Sequence, residues 1–320
     1  MKKNYFLFAA VVAGVLVARA ETKVGIIGVD TGHAVAFTKM MNVDKDPDVA
    51  GFRVTHAYKW GSKDIKSCTD RYATQIPQLE GWGVRMVDSI AELLENVDCV
   101  LLESCDGRPH LEQALEVFRS GKPCYIDKPI AADLKDALKI LDAAKAMGQK
   151  VFCSSSLRYT KAVKEAVRGD YGKIRSVNTF APGNFEPTHS DFFWYAIHGA
   201  EPLFAIMGTG CEEVTCVHTD SDDVIVGRWK DGRLGVERVF ATRGGYGGAV
   251  INEKSQLFSL GGYEGYKVLL VEILEYFRTG KEPIAPEETR EIYAFLDAAR
   301  LSKERGGKPV TLAEAIDLAK

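Results

Sequence analysis

The sequence predicts an α/β protein: a doubly wound parallel sheet followed by an α+β domain with a largely antiparallel sheet. Two observations carry this. From Thr22 to about Ser155, short continuous apolar runs alternate with helical segments, the rhythm of parallel strands covered by helices on both faces. Beyond Arg158 the strand-like runs lengthen, and Asp231-Gly232 joins two of them as a hairpin turn.

In chain order, Val24 to Gly28 reads as a buried strand, Ala34 to Met41 as a helix, Phe52 to Tyr58 and Val84 to Val87 as the next strands. Ser89-Ile90-Ala91-Glu92 has the form of a capping box opening a helix. Asp98 to Glu103 is a fourth strand, Pro109 to Ser120 a helix closed by Gly121, and Cys124 to Asp127 a fifth strand. A long helical segment begins near Ile130, regular from Asp133 to Met147 and closed by Gly148, before a sixth strand from Lys150 to Ser154. In the second half, Ile174 to Phe180, Glu213 to Thr219, Val224 to Trp229 and Leu234 to Ala241 read as strands. Helices over Asp191 to Met207, Tyr266 to Arg278 and Glu287 to Arg305 are expected to cover one face of their sheet.

Residues 1–20 stand outside this pattern. Lys2-Lys3, the apolar run from Tyr5 to Ala18 and the small-x-small Ala18-Arg19-Ala20 describe a secretory signal peptide cleaved before Glu21, hence a periplasmic or secreted protein. The apolar run is shorter than the roughly 20 residues of a spanning helix, so no membrane association is expected after cleavage. The expected organisation is a signal peptide (1–20), a first domain (21–156) and a second domain (157–320). Without Lys2, Lys3 and Arg19, 38 of the 41 basic residues remain against 44 acidic ones, a net charge of −6 that speaks against nucleic-acid partners. The seven cysteines form no C-x-x-C pair and read as buried thiols, so no metal is expected. Cys211 with Cys216 is the one local pairing considered.

Chemistry is expected at Asp127-Lys128-Pro129, where a strand gives way to a helical segment. A Lys at the carboxyl end of a strand in an open α/β sheet points into the crevice where such folds bind ligands, and Pro129 ends the ladder there. The first strand ends in Gly28-Val29-Asp30-Thr31-Gly32-His33. Against the dinucleotide template G-x-G-x-x-G only Gly28 matches, with Asp30 at the second glycine and His33 at the third. Asp30 is expected to cap the following helix and set negative charge where a pyrophosphate would lie. Lys59 and Lys63 follow the second strand, where a carboxylate for a ribose hydroxyl is usual.

Taken together, the order of segments over residues 22–320 resembles the Gfo/Idh/MocA oxidoreductase family. The resemblance rests on Val24-Gly25-Ile26-Ile27-Gly28, His110, Asp127-Lys128-Pro129 in place of Glu-Lys-Pro, Arg158-Tyr159, His198 within Ile197-His198-Gly199-Ala200-Glu201, and the Ser302 to Val310 segment. It implies a Rossmann domain and a second domain with an open-faced sheet that mediates homo-oligomerisation. It also implies NAD- or NADP-dependent chemistry on a sugar or sugar derivative, with Lys128 and His198 catalytic. Cofactor contacts are then expected at Gly28, Asp30, Gly32, His33, Lys59, Ser104, His110 and Asp127. Substrate contacts are expected at Arg158, Tyr195 and Glu201, with a salt bridge between the domains as the other reading of Arg158. Trp194 stands where the family often has the Asp that orients its His, so Tyr195 or Asp191 is expected to substitute. Because free nicotinamide nucleotide is scarce outside the cytoplasm, a tightly held cofactor is expected. A cofactor-free carbohydrate-binding or non-redox protein on the same scaffold is the alternative, favoured by Asp30, His33 and Trp194.

Overall fold

A computed structural model describes residues 21–242 and 244–320; the expected signal peptide lies outside them. The first unit runs β1 (Thr22–Ile27), α1 (Gly32–Thr38), β2 (Phe52–Tyr58), α2 (Lys66–Thr69), α3 (Tyr72–Gly81), β3 (Arg85–Val87) and α4 (Ile90–Asn96). It continues with β4 (Cys99–Leu102), α5 (His110–Ser120), β5 (Cys124–Asp127), α6 (Leu134–Ala146) and β6 (Val151–Ser154). Its six strands are all parallel, in the order β3-β2-β1-β4-β5-β6. The order reverses direction on either side of β1, and that switch opens a crevice above the carboxyl ends of β1, β4 and β5.

Local signals explain most of these boundaries. Ser89 Oγ accepts from Glu92 N at 3.1 Å while the Glu92 carboxylate reaches back to Asp88 N. Gly121 and Gly148 follow their helices with φ of 75° and 65°, a conformation in which a Cβ is strained. The helix after β5 starts at Leu134, later than Ile130, because Asp133 caps it by accepting from Asp136 N, while Ile130 N donates to Tyr293 Oη in a buried bend. The sequence reading missed α2 and α3, whose polar run with an internal Pro77 lacks an apolar stripe.

The second unit runs α7 (Lys161–Arg168), β7 (Ile174–Pro182), α8 (Ile197–Met207), β8 (Cys211–His218), β9 (Asp222–Trp229) and β10 (Leu234–Phe240). There follow β11 (Gly247–Asn252), β12 (Leu257–Ser259), α9 (Lys267–Thr279), α10 (Pro286–Glu304), β13 (Val310–Thr311) and α11 (Leu312–Leu318). Its seven-stranded sheet has the order β12-β11-β7-β10-β9-β8-β13 and is antiparallel except for the β7–β10 pair. The Asp231-Gly232 turn forms as expected, with φ of 86° at Gly232. Helix α8 begins at Ile197 rather than Asp191. Residues 191–196 form turns instead, with Phe192, Phe193 and Trp194 buried.

Helix α9 does not cover the second sheet. Its Leu269, Leu270, Ile273 and Leu274 pack with Val24, Ile26, Phe37 and Leu101 of the first unit. The remaining core is continuous across both units through α6, α8 and α10. The cysteines are all free. Cys211 and Cys216 lie five residues apart along one extended strand, about 16 Å at the usual rise and beyond disulfide reach. Among the described residues no helix is long and apolar enough to cross a membrane.

Candidate functional site

A cavity of about 520 Å³ lies above the carboxyl ends of the parallel strands. Its floor comes from the start of α1 (Thr31, Gly32, His33), the loop after β4 (Cys105) and the end of β5 (Asp127, Lys128). Its other walls are Ser67 and Arg71 near α2, Trp194, Tyr195 and His198 at the entrance to α8, and Tyr246, Tyr263 and Tyr266.

Lys128 is partly buried, with Nζ 5.0 Å from the centre of the Tyr195 ring. Burial alone would lower its pKa, but the neighbouring Asp127 carboxylate outweighs that and keeps it raised, so the group is held as a cation. Asp127 is buried at the last position of β5. Its Oδ1 accepts from Lys128 N at 2.8 Å and from Tyr125 Oη at 3.3 Å, and lies 3.0 Å from His33 Nδ1.

His198 sits in the first turn of α8 with Nδ1 2.7 Å from Ser155 Oγ. Ser155 Oγ also accepts from Leu157 N, and its hydroxyl hydrogen can be given to Nδ1, the arrangement that places the ring hydrogen on Nε2. Burial and the nearby Lys128 charge push the His198 pKa well below its ordinary value, so the ring is neutral. Its orienting partner is thus a serine, not Tyr195 or Asp191. Asp191 pairs with Lys303, and Tyr195 meets the imidazole edge-on at 5.4 Å. Ser155 follows β6, forty-three residues before His198, and no local signal in the sequence links them. Trp194 packs on His189 with ring centres 4.6 Å apart.

The cavity gathers Gly32, His33, Asp127, Lys128, Tyr195 and His198 of the expected site residues. The others lie elsewhere. Asp30 does not cap α1; Thr31 does, accepting from Ala34 N. The Asp30 carboxylate is buried and accepts from Ser62 N at 2.8 Å and Cys105 N at 3.1 Å, tying together the loops after β1, β2 and β4. Burial raises its pKa. Gly28 is a tight turn with φ of 84°, and a Cβ there would stand 2.5 Å from the Ser104 backbone. Ser104 Oγ donates to Gln113 Oε1, and the two His110 nitrogens face the Ile130 and Ser104 carbonyls, so both residues brace the base of α5. Lys59 lies over the Trp60 ring at 4.7 Å, away from the cavity lining.

Arg158 follows its salt-bridge reading, and Glu201 is its partner instead of a substrate contact. Both are buried and paired, Nη1 to Oε2 at 3.1 Å, and Arg158 also binds Glu288 of α10. Burial outweighs Arg158 and holds the Glu201 pKa up to about 7. Neither residue reaches the cavity, because the guanidinium is taken up by the two carboxylates between β6, α8 and α10.

Glu103, which the sequence reading passed over as the end of a strand, is fully buried after β4 with its Oε2 3.5 Å from His33 Nδ1. Burial raises its pKa to about 7, whereas the Asp127 and Glu103 carboxylates overcome burial at His33 and push it up to about 10.

Residues 22–155 match the family model described as an oxidoreductase family with an NAD-binding Rossmann fold. An inositol 2-dehydrogenase of Cereibacter sphaeroides is 28% identical over 157 residues, 47% of this chain and 42% of that protein. The match therefore spans less than half the length of that relative. A probable dehydrogenase from Thermotoga maritima superposes with a TM-score of 0.72 at 20% identity, covering 92% of this chain and 100% of the other. The myo-inositol dehydrogenase of Lactobacillus casei, solved with NAD(H) and myo-inositol, gives 0.71 at 14% identity over 91% and 96% of the two chains. At these identities the superpositions establish the fold.

The residues present fit a dinucleotide on two counts. The cavity runs from the start of α1 to Lys128 and His198, and the Asp30 charge that would oppose a diphosphate is turned away into bonds with Ser62 and Cys105.

Proposed function

From the match of residues 22–155 to the Gfo/Idh/MocA oxidoreductase family model, we propose that the chain is an exported oxidoreductase acting on a sugar or sugar derivative with a tightly held NAD or NADP. The observation that carries the reading is the convergence of Lys128, Tyr195 and His198 on one cavity at the carboxyl ends of the parallel strands. Gly32, His33 and Asp127 would hold the cofactor, which when bound would supply hydride exchange with a carbinol carbon.

The protein's part is proton handling and orientation. Lys128 Nζ exchanges a proton with the substrate oxygen, as an acid while cationic and as a base once deprotonated. The neutral His198 donates its Nε2 hydrogen to the same or an adjacent hydroxyl, and Ser155 holds the ring in that tautomer. The Tyr195, Tyr246, Tyr263 and Tyr266 side chains offer apolar faces and hydroxyls suited to the two sides of a sugar ring. On the second sheet's outer face Phe180, Val217, Leu234 and Leu257 stay exposed, which supports a homo-oligomer formed through that face.

The test is the ultraviolet spectrum and mass of small molecules released from freshly purified protein, with turnover of candidate polyols by wild type and Lys128→Met. Released nicotinamide nucleotide, and a rate loss of roughly a hundred- to ten-thousand-fold in the variant, are expected. Protein free of nucleotide that binds no added NAD or NADP overturns the redox reading in favour of a carbohydrate-binding protein. Recovery of residues 1–20 on the protein from its native host overturns export.

A further inference from the structure

Three side chains of metal-binding type, from three adjacent strand ends, meet at the cavity floor. His33 follows β1, Glu103 follows β4 and Asp127 ends β5. Their nearest donor atoms all lie within 4.8 Å of one another. His33 Nδ1 is 3.0 Å from Asp127 Oδ1 and 3.5 Å from Glu103 Oε2. Yet neither contact has hydrogen-bond geometry: His33 Nδ1 and both Glu103 oxygens are buried without a hydrogen-bond partner. Buried polar atoms are nearly always paired, and an orphaned group of this kind calls for an explanation.

Three donors within 4.8 Å of one another, with the imidazole in contact with both carboxylates but hydrogen-bonded to neither, have the spacing of a coordination shell. Around an ion with bonds of about 2.0 to 2.2 Å, adjacent ligand atoms stand about 3.0 Å apart in octahedral and about 3.4 Å apart in tetrahedral geometry. The two contacts of His33 Nδ1 fall at these spacings. Two carboxylates also neutralise a divalent charge, and one imidazole with two carboxylates suits a borderline ion. His33 and Asp127 line the cavity, so the remaining coordination positions open toward water or a hydroxyl of a bound ligand.

We propose that His33, Glu103 and Asp127 form a binding site for a divalent cation of the Zn²⁺ or Mn²⁺ type, open to the cavity beside Lys128. The site shares His33 and Asp127 with the proposed cofactor site but rests on their geometry with Glu103 and not on the nicotinamide reading.

The test is calorimetric titration of the full-length mature protein, first stripped with a chelator, with Zn²⁺ and with Mn²⁺. One saturable site with a Kd at or below roughly 10 µM is expected. Glu103→Gln and His33→Gln each weaken it by about tenfold or more. The Co²⁺ spectrum of the wild type gives a readout that needs no variant: bands that shift from those of aqueous Co²⁺ and saturate on titration are expected, intensified where the shell is tetrahedral, and a spectrum identical to aqueous Co²⁺ at every ratio counts against the site. No saturable binding up to about 1 mM ion, or binding that both substitutions leave unchanged, overturns the proposal. Nucleotide release and polyol turnover are read separately, so either result stands whichever way the other falls.

Discussion

Replacing Arg158 by Met removes the buried cation that Glu201 and Glu288 share while keeping a long apolar stem in the same space. Arg158 and Glu201 are 9% and 1% exposed, so water cannot take the place of the lost partner. Breaking one side of a buried pair typically costs about 3 to 5 kcal/mol, and that is the loss expected at neutral pH. The pH dependence is the sharper signature. In the wild type the folded-state pKa of Glu201 is raised to about 7. A carboxyl with a raised folded pKa contributes stability that is full below its unfolded value and is lost as pH rises toward the folded one. Without Arg158 the folded pKa climbs further, so the loss must continue above pH 7, where the wild-type contribution has levelled off. Urea unfolding at about pH 5.5, 7 and 8.5, followed by tryptophan fluorescence, measures this. Arg158→Met with Glu201→Met together should recover part of the loss, since only the partly exposed Glu288 carboxylate then remains without its partner. A destabilisation below about 1 kcal/mol, with no steepening at high pH and a raised KM instead, would refute the reasoning and return Arg158 to the substrate.

Asp30→Ala should lower stability by about 1 to 3 kcal/mol for each donor orphaned at Ser62 N and Cys105 N, read by thermal melting; an unchanged melting temperature counts against its role as a loop tie. Glu237 is fully buried beneath α8 without a partner, and burial alone raises its pKa well above the ordinary value. Its contribution is therefore full below about pH 4.3 and lost as pH rises. Glu237→Met should stabilise the protein at pH 7 and flatten the stability profile from about pH 5 to 8 by up to 1.4 kcal/mol per pH unit. Ser155→Ala should leave the fold intact and lower kcat more than it changes KM, because it frees the His198 ring; equal loss in both refers the effect to binding. Leu234→Lys with Val217→Lys on the open sheet face should shift sedimentation toward the monomer, and an unchanged oligomer assigns the interface elsewhere.

By itself the sequence determined the alternation of strands and helices, the glycine-stopped helix ends at Gly121 and Gly148, the Asp231-Gly232 hairpin, and the emergence of Lys128 at a strand end. Each of these is written in a window of a few residues, where periodicity, capping and left-handed turns act on the backbone directly. Only the tertiary structure decided where the polar side chains went. Asp30 reads locally as a helix cap, but backbone donors 32 and 75 residues away claim its carboxylate. Arg158 reads equally as a substrate contact or a salt bridge, and the choice falls to the salt bridge because α10 brings Glu288 against the guanidinium, 130 residues on. Helix α9 has an apolar face that fits either sheet, and the choice fell to the first. The meeting of His33, Glu103 and Asp127 depends on β1, β4 and β5 lying side by side, an order that strand pairing sets and that no spacing along the chain encodes.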